Sequence, residues 1–240
     1  LYSGTQPMGQ GIATSYLQIF SEQLQIPVNH LKVVQGDTDL VEGHGSVGSR
    51  SLFVGGNAIL RGIEDFLEEC KQLAASELEA SVEDLEYHQG NFQVKGTRVG
   101  IGIFDLCSRQ SGNSISVKRK KELTGRSWPN GCHVAEVEID AETGEVRLDR
   151  YVSVDDVGNT VNPMIVHGQV QGGIASGLGQ AVLERTEYDA SGQLLSGSYM
   201  DYALPRADDM PSLSGSLFEK APCLTNPLGV KGTGEIGAVA

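Results

Sequence analysis

Glycine placement constrains this chain more than any other feature. Of 240 residues, 31 are glycine, against about 17 at the usual ~7% frequency. They gather in four clusters: Gly4–Gly11, Gly43–Gly56, Gly168–Gly179 and Gly229–Gly237. Glycine lets a backbone take positive φ or approach a neighbour closely. One such cluster reads as a tight turn. Four, at the junctions of predicted elements, point to loops pressed against a ligand or another element.

Composition narrows the class. The length suffices for one large domain or two lobes. Apolar content of 39% is that of a globular protein, and no run approaches the ~18 residues of a membrane span. A formal charge of −13 argues against nucleic-acid binding, which needs clustered cations to neutralise phosphates. The one basic run, Lys118 to Lys121, reads as a solvated face or loop. Cys70, Cys107, Cys132 and Cys223 show no metal-ligand spacing, and Cys70 and Cys107 read as buried thiols. No iron–sulfur cluster, structural zinc or disulfide framework is expected within the chain. A reducing, cytoplasmic setting is the default, with the periplasm left open. Leu1 is neither an initiating Met nor part of a signal-like segment, so a cleaved subunit or excised fragment is expected.

Periodicity places the elements. Ala13, Tyr16, Leu17, Phe20 and Leu24 predict an amphipathic helix over 12–25, ended by Pro27. A strand is predicted over 30–35 and a turn at Gly36–Asp39. The loop Gly43–Ser51 then leads into a helix over 54–77, with Ile59, Ile63, Phe66, Cys70, Leu73 and Ala74 as its core stripe. Ser81–Asp84 resembles a capping box. Short strands are predicted at 85–88 and 92–95 and a short helix at 103–109. A hairpin pairs 133–139 with 146–155. Asn162-Pro163 starts a helix carrying five glycines, each costing about 0.5–1 kcal/mol against alanine, which predicts very close packing. Strands are expected near 183–188 and 193–201. The reading is α+β: two lobes, each a mixed sheet packed with helices, with the site between them. The lobes are 1–110 and 131–240, joined by a loop over 111–130.

Several residues could carry chemistry, each with a plainer alternative. Glu235 stands in Gly-Thr-Gly-Glu-Ile-Gly with Lys231 nearby. It is either a general base, left uncovered by its glycine neighbours, or a glutamate starting a helix. Gln10 and Gln169 are amides near helix starts or surface polar residues. Ser49, Arg50 and Ser51 could bind phosphate or cap the following helix. Gly-rich loops feeding helix N-termini suit an anion. Among the five histidines, His44 is the most site-like. Asp155-Asp156 suits a turn or an orienting hydrogen bond.

Taken in order, five segments resemble the xanthine oxidase family of molybdenum hydroxylases. They are Gly4-Thr5…Met8-Gly9-Gln10-Gly11, Gly36-Asp37-Thr38-Asp39, Gly43-His44-Gly45-Ser46-Val47-Gly48-Ser49-Arg50-Ser51, Asn162-Pro163…Gly168-Gln169-Val170-Gln171-Gly172-Gly173 and Gly229-Val230-Lys231-Gly232-Thr233-Gly234-Glu235. The family includes aldehyde oxidoreductases, xanthine dehydrogenases and the large subunit of aerobic carbon monoxide dehydrogenase; Asp37–Ser51 is most like the last.

The resemblance implies a molybdopterin, in bacteria usually the cytosine dinucleotide form, with molybdenum held by the pterin rather than by protein side chains. It implies that Met8, Gly9 and Gln10 contact the cofactor, that Gly48, Ser49, Arg50 and Ser51 embrace its phosphates or pterin, and that Gln169 and Lys231 bind it. Glu235 then matches the base that deprotonates a molybdenum-bound hydroxide as an aldehyde, N-heterocycle or similar small molecule is hydroxylated. Iron–sulfur clusters and flavin are implied only on partner domains or subunits. The family's domain is much longer and includes a substrate-shaping N-terminal part, so the isolated chain is expected to be inactive, with cofactor not necessarily bound. The rival expectation is a non-catalytic pterin- or nucleotide-binding or interaction lobe.

Overall fold

Two compact units make up the chain in the computed structural model, Leu1–Thr124 and Gly125–Ala240; residues 1–120 and 125–239 are described. Residues 121–124 of the expected connecting loop, including Lys121, fall outside that set. The architecture is α+β.

In the first unit, β1 (Tyr2–Ser3) pairs in parallel with β2 (Val34–Gln35). The strand expected over 30–35 shrinks to these two residues because Val28–His30, following Pro27, forms a 3-10 turn. Helix α1 (Ile12–Leu24) ends where Gln25 turns left-handed, with φ 51. Its buried face is Ile12, Ser15, Tyr16, Ile19 and Leu24, so only Tyr16 and Leu24 of the predicted stripe are inside. The loop at Gly43–Ser51 does feed a helix, but Ser51–Gly56 winds as a π-turn before α2 (Asn57–Glu77) begins. Ile59, Ile63, Cys70 and Ala74 of the predicted stripe are buried. Ser81 makes no side-chain cap, and Val82–Asp84 is a single 3-10 turn.

The meander β3 (Leu85–His88), β4 (Asn91–Val94) and β5 (Gly100–Gly102) is antiparallel. Leu85, Phe92 and Ile101 bury its inner face, with Leu106 of α3 (Ile103–Arg109). The Tyr87 hydroxyl donates to Leu24 O at 2.6 Å, tying the meander to the end of α1. Among the described residues this unit holds a two-stranded parallel sheet and a three-stranded antiparallel one.

The second unit does hold a mixed sheet. β6 (Asn130–Ile139) and β7 (Val146–Asp156) form a long antiparallel hairpin with a bulge at Glu136/Val137. β8 (Leu213–Leu217), which sequence periodicity missed, lies parallel to β7. Helix α4 (Pro163–Leu178) starts at Asn162, whose side chain accepts from Ile165 N at 3.1 Å, with Pro163 in the first turn. Tyr151, Val170 and Ile174 form a core cluster with Leu148, Met210 and Leu213 packed on it.

The strands expected near 183–188 and 193–201 are absent among the described residues. A π-turn at Gly179–Leu183 extends α4, and one bridge, Tyr188 to Leu194, marks the intended hairpin. Its turn forms as expected, with the Asp189 carboxylate accepting from Ser191 N and Gln193 N. The flanks do not become strands because Leu195, Tyr199 and Met200 stand in solvent, 53%, 83% and 92% exposed. Without a face to bury, alternation does not make a strand.

Candidate functional site

The first two glycine clusters meet inside the first unit. Gly4 and Gly43 touch backbone to backbone: a Cβ on Gly43 would lie 1.8 Å from Gly4 O. Gly45 N donates to Gly4 O at 3.2 Å. Around this crossing, Ser46 Oγ donates to Gln6 O at 2.6 Å and accepts from Gln6 N at 3.1 Å. Gln10 Nε2 donates to Gln6 O at 2.9 Å, while its Oε1 accepts from Met8 N at 2.6 Å. Gln10 is thus a brace that shapes the Gln6–Gln10 loop. Met8 projects outward, 61% exposed, beside left-handed Gly9.

Tyr16 anchors both loops from below. Its hydroxyl donates to Ser51 O at 2.7 Å and meets Thr5 Oγ1 at 3.0 Å. Burial pushes this phenol up to about 12, partly opposed by hydrogen bonds from Thr5 and Ser3, so it stays a donor throughout the physiological range. Gly55 is needed here, since a Cβ would sit 1.9 Å from the Tyr16 hydroxyl.

Gly48 and Ser49 both take positive φ, 60 and 54. This presents exposed Arg50, whose Nε donates to Val47 O at 3.3 Å. Arg50 is the cap residue of the following turn and makes no side-chain cap bond. Helix α1 begins at left-handed Gly11, also without a side-chain cap. Its first-turn amides are therefore available to an anion. His44 lies in the same loop and is exposed.

In the second unit, Glu235 sits on an exposed turn. Ile236 N donates to Thr233 O and Ala238 N to Glu235 O. The turn is seated on α4. A Cβ on Gly237 would lie 2.4 Å from both Ile174 N and Val170 O, and one on Gly173 would lie 3.0 Å from Gly237. Gly177 faces Ala238 in the same way. Residues 169, 173 and 177 recur every four positions and share one helix face. Gln169 therefore lies one turn N-terminal to the seat of the Glu235 turn, on the same face. The predicted close packing of the α4 glycines holds for Gly173, Gly177 and Gly179, while Gly168 and Gly172 meet nothing within 4 Å.

Lys231 is engaged within the chain. Its Nζ donates to Asp156 Oδ2 at 2.6 Å, with the side chains 10% and 13% exposed. Burial pushes the Asp156 carboxyl up, but the Lys231 hydrogen bond, the Gly158 amide and the Lys231 charge together hold it below the usual carboxylate range. Further bonds pin the tail to the end of β7: Lys231 N to Val157 O at 2.9 Å and Asn159 N to Gly229 O at 2.9 Å. The ion pair thus fixes the chain four residues ahead of Glu235.

A carboxyl held low in the fold adds stability that is complete above its unfolded value, about 3.9, and lost as pH falls through the folded value. Lys231→Met is expected to cost about 1.5–3 kcal/mol at neutral pH and to flatten the loss of melting temperature below about pH 4. Thermal unfolding of the full-length protein across pH checks this. An unchanged acid limb would remove the pair from the account.

Sequence reading also passed over His133, favouring His44. His133 Nδ1 lies 2.8 Å from the Tyr151 hydroxyl, and its Nε2 lies 2.8 Å from Asp155 Oδ1. The signal was the hairpin register, which pairs His133 with Ser153 and so sets Tyr151 and Asp155 on its two diagonals. Among the described residues, no group of three or more His, Cys, Asp and Glu could hold a metal ion, and no helix is long and apolar enough to cross a membrane.

The molybdopterin cofactor-binding domain family matches residues 1–211. The 6-hydroxypseudooxynicotine dehydrogenase complex subunit gamma of Paenarthrobacter nicotinovorans is 33% identical over 99% of this chain and 31% of its own length. The carbon monoxide dehydrogenase large chain of Hydrogenophaga pseudoflava is 33% identical over 97% of this chain and 30% of its own. The crystal structure of quinoline 2-oxidoreductase from Pseudomonas putida 86 superposes with a TM-score of 0.84 at 31% identity, covering all of this chain and 32% of that one. The chain thus spans about a third of the length of the relatives it matches. With the family match covering residues 1–211 and relatives 33% identical along nearly the whole chain, the chain belongs to the molybdopterin cofactor-binding domain family of xanthine oxidase-type molybdenum hydroxylases.

Proposed function

We propose that this chain is the cofactor-binding, base-carrying part of an oxidoreductase that hydroxylates an aldehyde, N-heterocycle or similar small molecule with water-derived oxygen. The observation that carries the reading is the seating of the Glu235 turn on the Gln169–Gly173–Gly177 face of α4. The close approach of Gly237 to Val170 O and Ile174 N supports a reading in which the Glu235 carboxylate and the Gln169 amide serve one site.

The residues present fit a molybdopterin dinucleotide. Its phosphates call for amide and guanidinium donors. The uncapped start of α1 at Gly11 and exposed Arg50 beside left-handed Gly48 and Ser49 supply them. Gly9, Gln10 and Ser51 shape that surface; Met8 borders it. In the second unit Gln169 would donate from its amide, and Lys231 would act through the loop it anchors.

When bound, the group supplies the two-electron oxidation and the activated oxygen. The chain supplies position and a proton acceptor. With the group bound, a Glu235 carboxylate oxygen would accept a proton, and the braced loops would hold the group's phosphates. The cytosine dinucleotide form, iron–sulfur and flavin partners, the remaining N-terminal part of the same domain, and a cytoplasmic setting belong to this reading. Its support is the ordered match to relatives about three times as long.

The test is the metal and pterin content of the intact protein with its partner chains, joined to an activity panel of aldehydes, purines and carbon monoxide. Molybdenum and pterin in equal amounts are expected, and a protein purified intact without either would overturn the reading. Arg50→Ala is expected to weaken cofactor retention about 10- to 100-fold, the worth of a charge-assisted hydrogen bond, measured as molybdenum remaining after gel filtration.

A further inference from the structure

The inner face of the second unit's sheet carries a polar centre in a mainly apolar interface. Register sets Gly131 and His133 of β6 beside Asp155 and Ser153 of β7, and these beside Leu217 and Gly215 of β8. Val170 and Ile174 of α4 pack on the same face with Tyr151. Gly131 makes room for the Asp155 carboxylate, since a Cβ there would lie 2.8 Å from Oδ1. Gly215 leaves a gap next to Ser153: a Cβ there would stand 3.2 Å from Ser153 Oγ.

That gap is a pocket with room for about one water molecule. Val170, Ile174, Leu213 and Leu217 give it apolar walls, and Ser153 and Asp155 bring polar groups to it. Those two residues are 2% and 1% exposed. His133 serves the far side of the carboxylate. Its Nε2 lies 2.8 Å from Asp155 Oδ1, as an ion pair when the ring is protonated and as a neutral hydrogen bond otherwise. Oδ1 therefore has a partner in the protein. Among the described residues, neither Asp155 Oδ2 nor Ser153 Oγ has one, and both are buried.

Size and chemistry together select the occupant. Two side-chain oxygens in apolar walls are too few for a bare cation, which calls for a full shell of oxygens. An apolar cavity stays dry, whereas one faced by buried polar atoms takes up water. Leaving both oxygens unserved costs more than ordering one water molecule between them. Water can donate to Asp155 Oδ2 and, with its remaining capacity, either donate to Ser153 Oγ or accept from it.

We propose that the Ser153–Asp155 pocket is the binding site of one internal water molecule, which bridges Asp155 Oδ2 and Ser153 Oγ. The bridge extends the hydrogen-bonded run Tyr151–His133–Asp155 to Ser153. It also fills the seam between the sheet and α4, whose His167 and Gln171 line the same pocket. The proposal is independent of the role given to Glu235.

The experiment is a high-resolution crystal structure of the full-length protein, joined to native-state amide exchange. One density peak is expected within about 2.6–3.2 Å of both oxygens, unchanged in potassium-free buffer and without anomalous signal after a thallium(I) soak. Gly215→Ala, which puts a methyl group in the pocket, is expected to remove the peak. Ser153→Ala gives the energetic sign without adding an atom. Loss of a hydroxyl that holds the water is expected to speed exchange of the amides paired between β7 and β8 about fivefold. In a dry pocket the same change would remove an unserved buried hydroxyl and slow that exchange. A pocket without density, one filled by a side chain from elsewhere in the protein, a thallium peak, or unchanged or slower exchange in Ser153→Ala overturns the proposal.

Discussion

Glu235→Gln in the full-length protein is expected to lower turnover by about 10²- to 10⁴-fold, the usual contribution of a general base, while molybdenum content and melting temperature stay at wild-type values. Glutamine keeps the size and shape of glutamate and loses its negative charge and its basicity. The turn that carries Glu235 is held by Gly237 against Val170 O and Ile174 N and by backbone bonds on either side. The side chain itself is exposed, so the exchange leaves the packing that positions it intact. A fall in rate with full cofactor content therefore reports proton transfer rather than folding. Near-wild-type turnover with bound cofactor would sink the assignment of the base and leave the chain as a pterin-binding lobe whose Glu235 is a turn residue.

Residues that answer to their neighbours in sequence were legible from the sequence; those that answer to distant strands were not. The start of helix α4 could be placed to the residue because Asn162-Pro163 is a local signal: one cap oxygen and one fixed φ. The return strand expected over 146–155 followed from alternation and a Gly144 turn, where φ is 74, and the structure extends it by one residue to Asp156. By contrast β8 reads Leu-Ser-Gly-Ser-Leu and becomes a strand only because β7 offers a parallel edge. The stripe on α1 was rotated because sequence gave Ser15 no weight as a buried position, yet Ser15 is 4% exposed.

The site shows the same division. Glycine clusters and Glu235 stood out as composition and motif. The work done by Gln10, which braces its own loop, and by Lys231, which pairs with Asp156 across 75 residues, depends on partners brought together by folding. His133 was missed for that reason: a histidine in an alternating strand looks ordinary until register supplies Tyr151 and Asp155.

Gly43→Ala is expected to be the most damaging single methyl group in the first unit. The added Cβ would fall 1.8 Å from Gly4 O and 2.3 Å from Gly4 C and Cα. All three are backbone atoms, so no rotamer change relieves the clash. Gly43 has no positive φ to satisfy, and its requirement is closeness alone. The loops must separate, breaking the Gly45 N to Gly4 O bond and loosening the bonds between Ser46 and Gln6 that set the Gln6–Gln10 brace. Overpacking of this kind costs about 1–3 kcal/mol and occasionally more, and the lost bonds add about 1 kcal/mol each.

The expected result in the full-length protein is a melting temperature lower by roughly 5–10 °C with molybdenum retention falling in parallel, because the same loops carry Gly9, Gln10 and Arg50. Gly172→Ala in α4 is the matched control. It meets nothing within 4 Å, and alanine there stabilises a helix interior by about 0.5–1 kcal/mol. Opposite signs of melting shift for the two substitutions are the prediction. A neutral Gly43→Ala would mean that the Gly4–Gly43 crossing does not hold the two loops together.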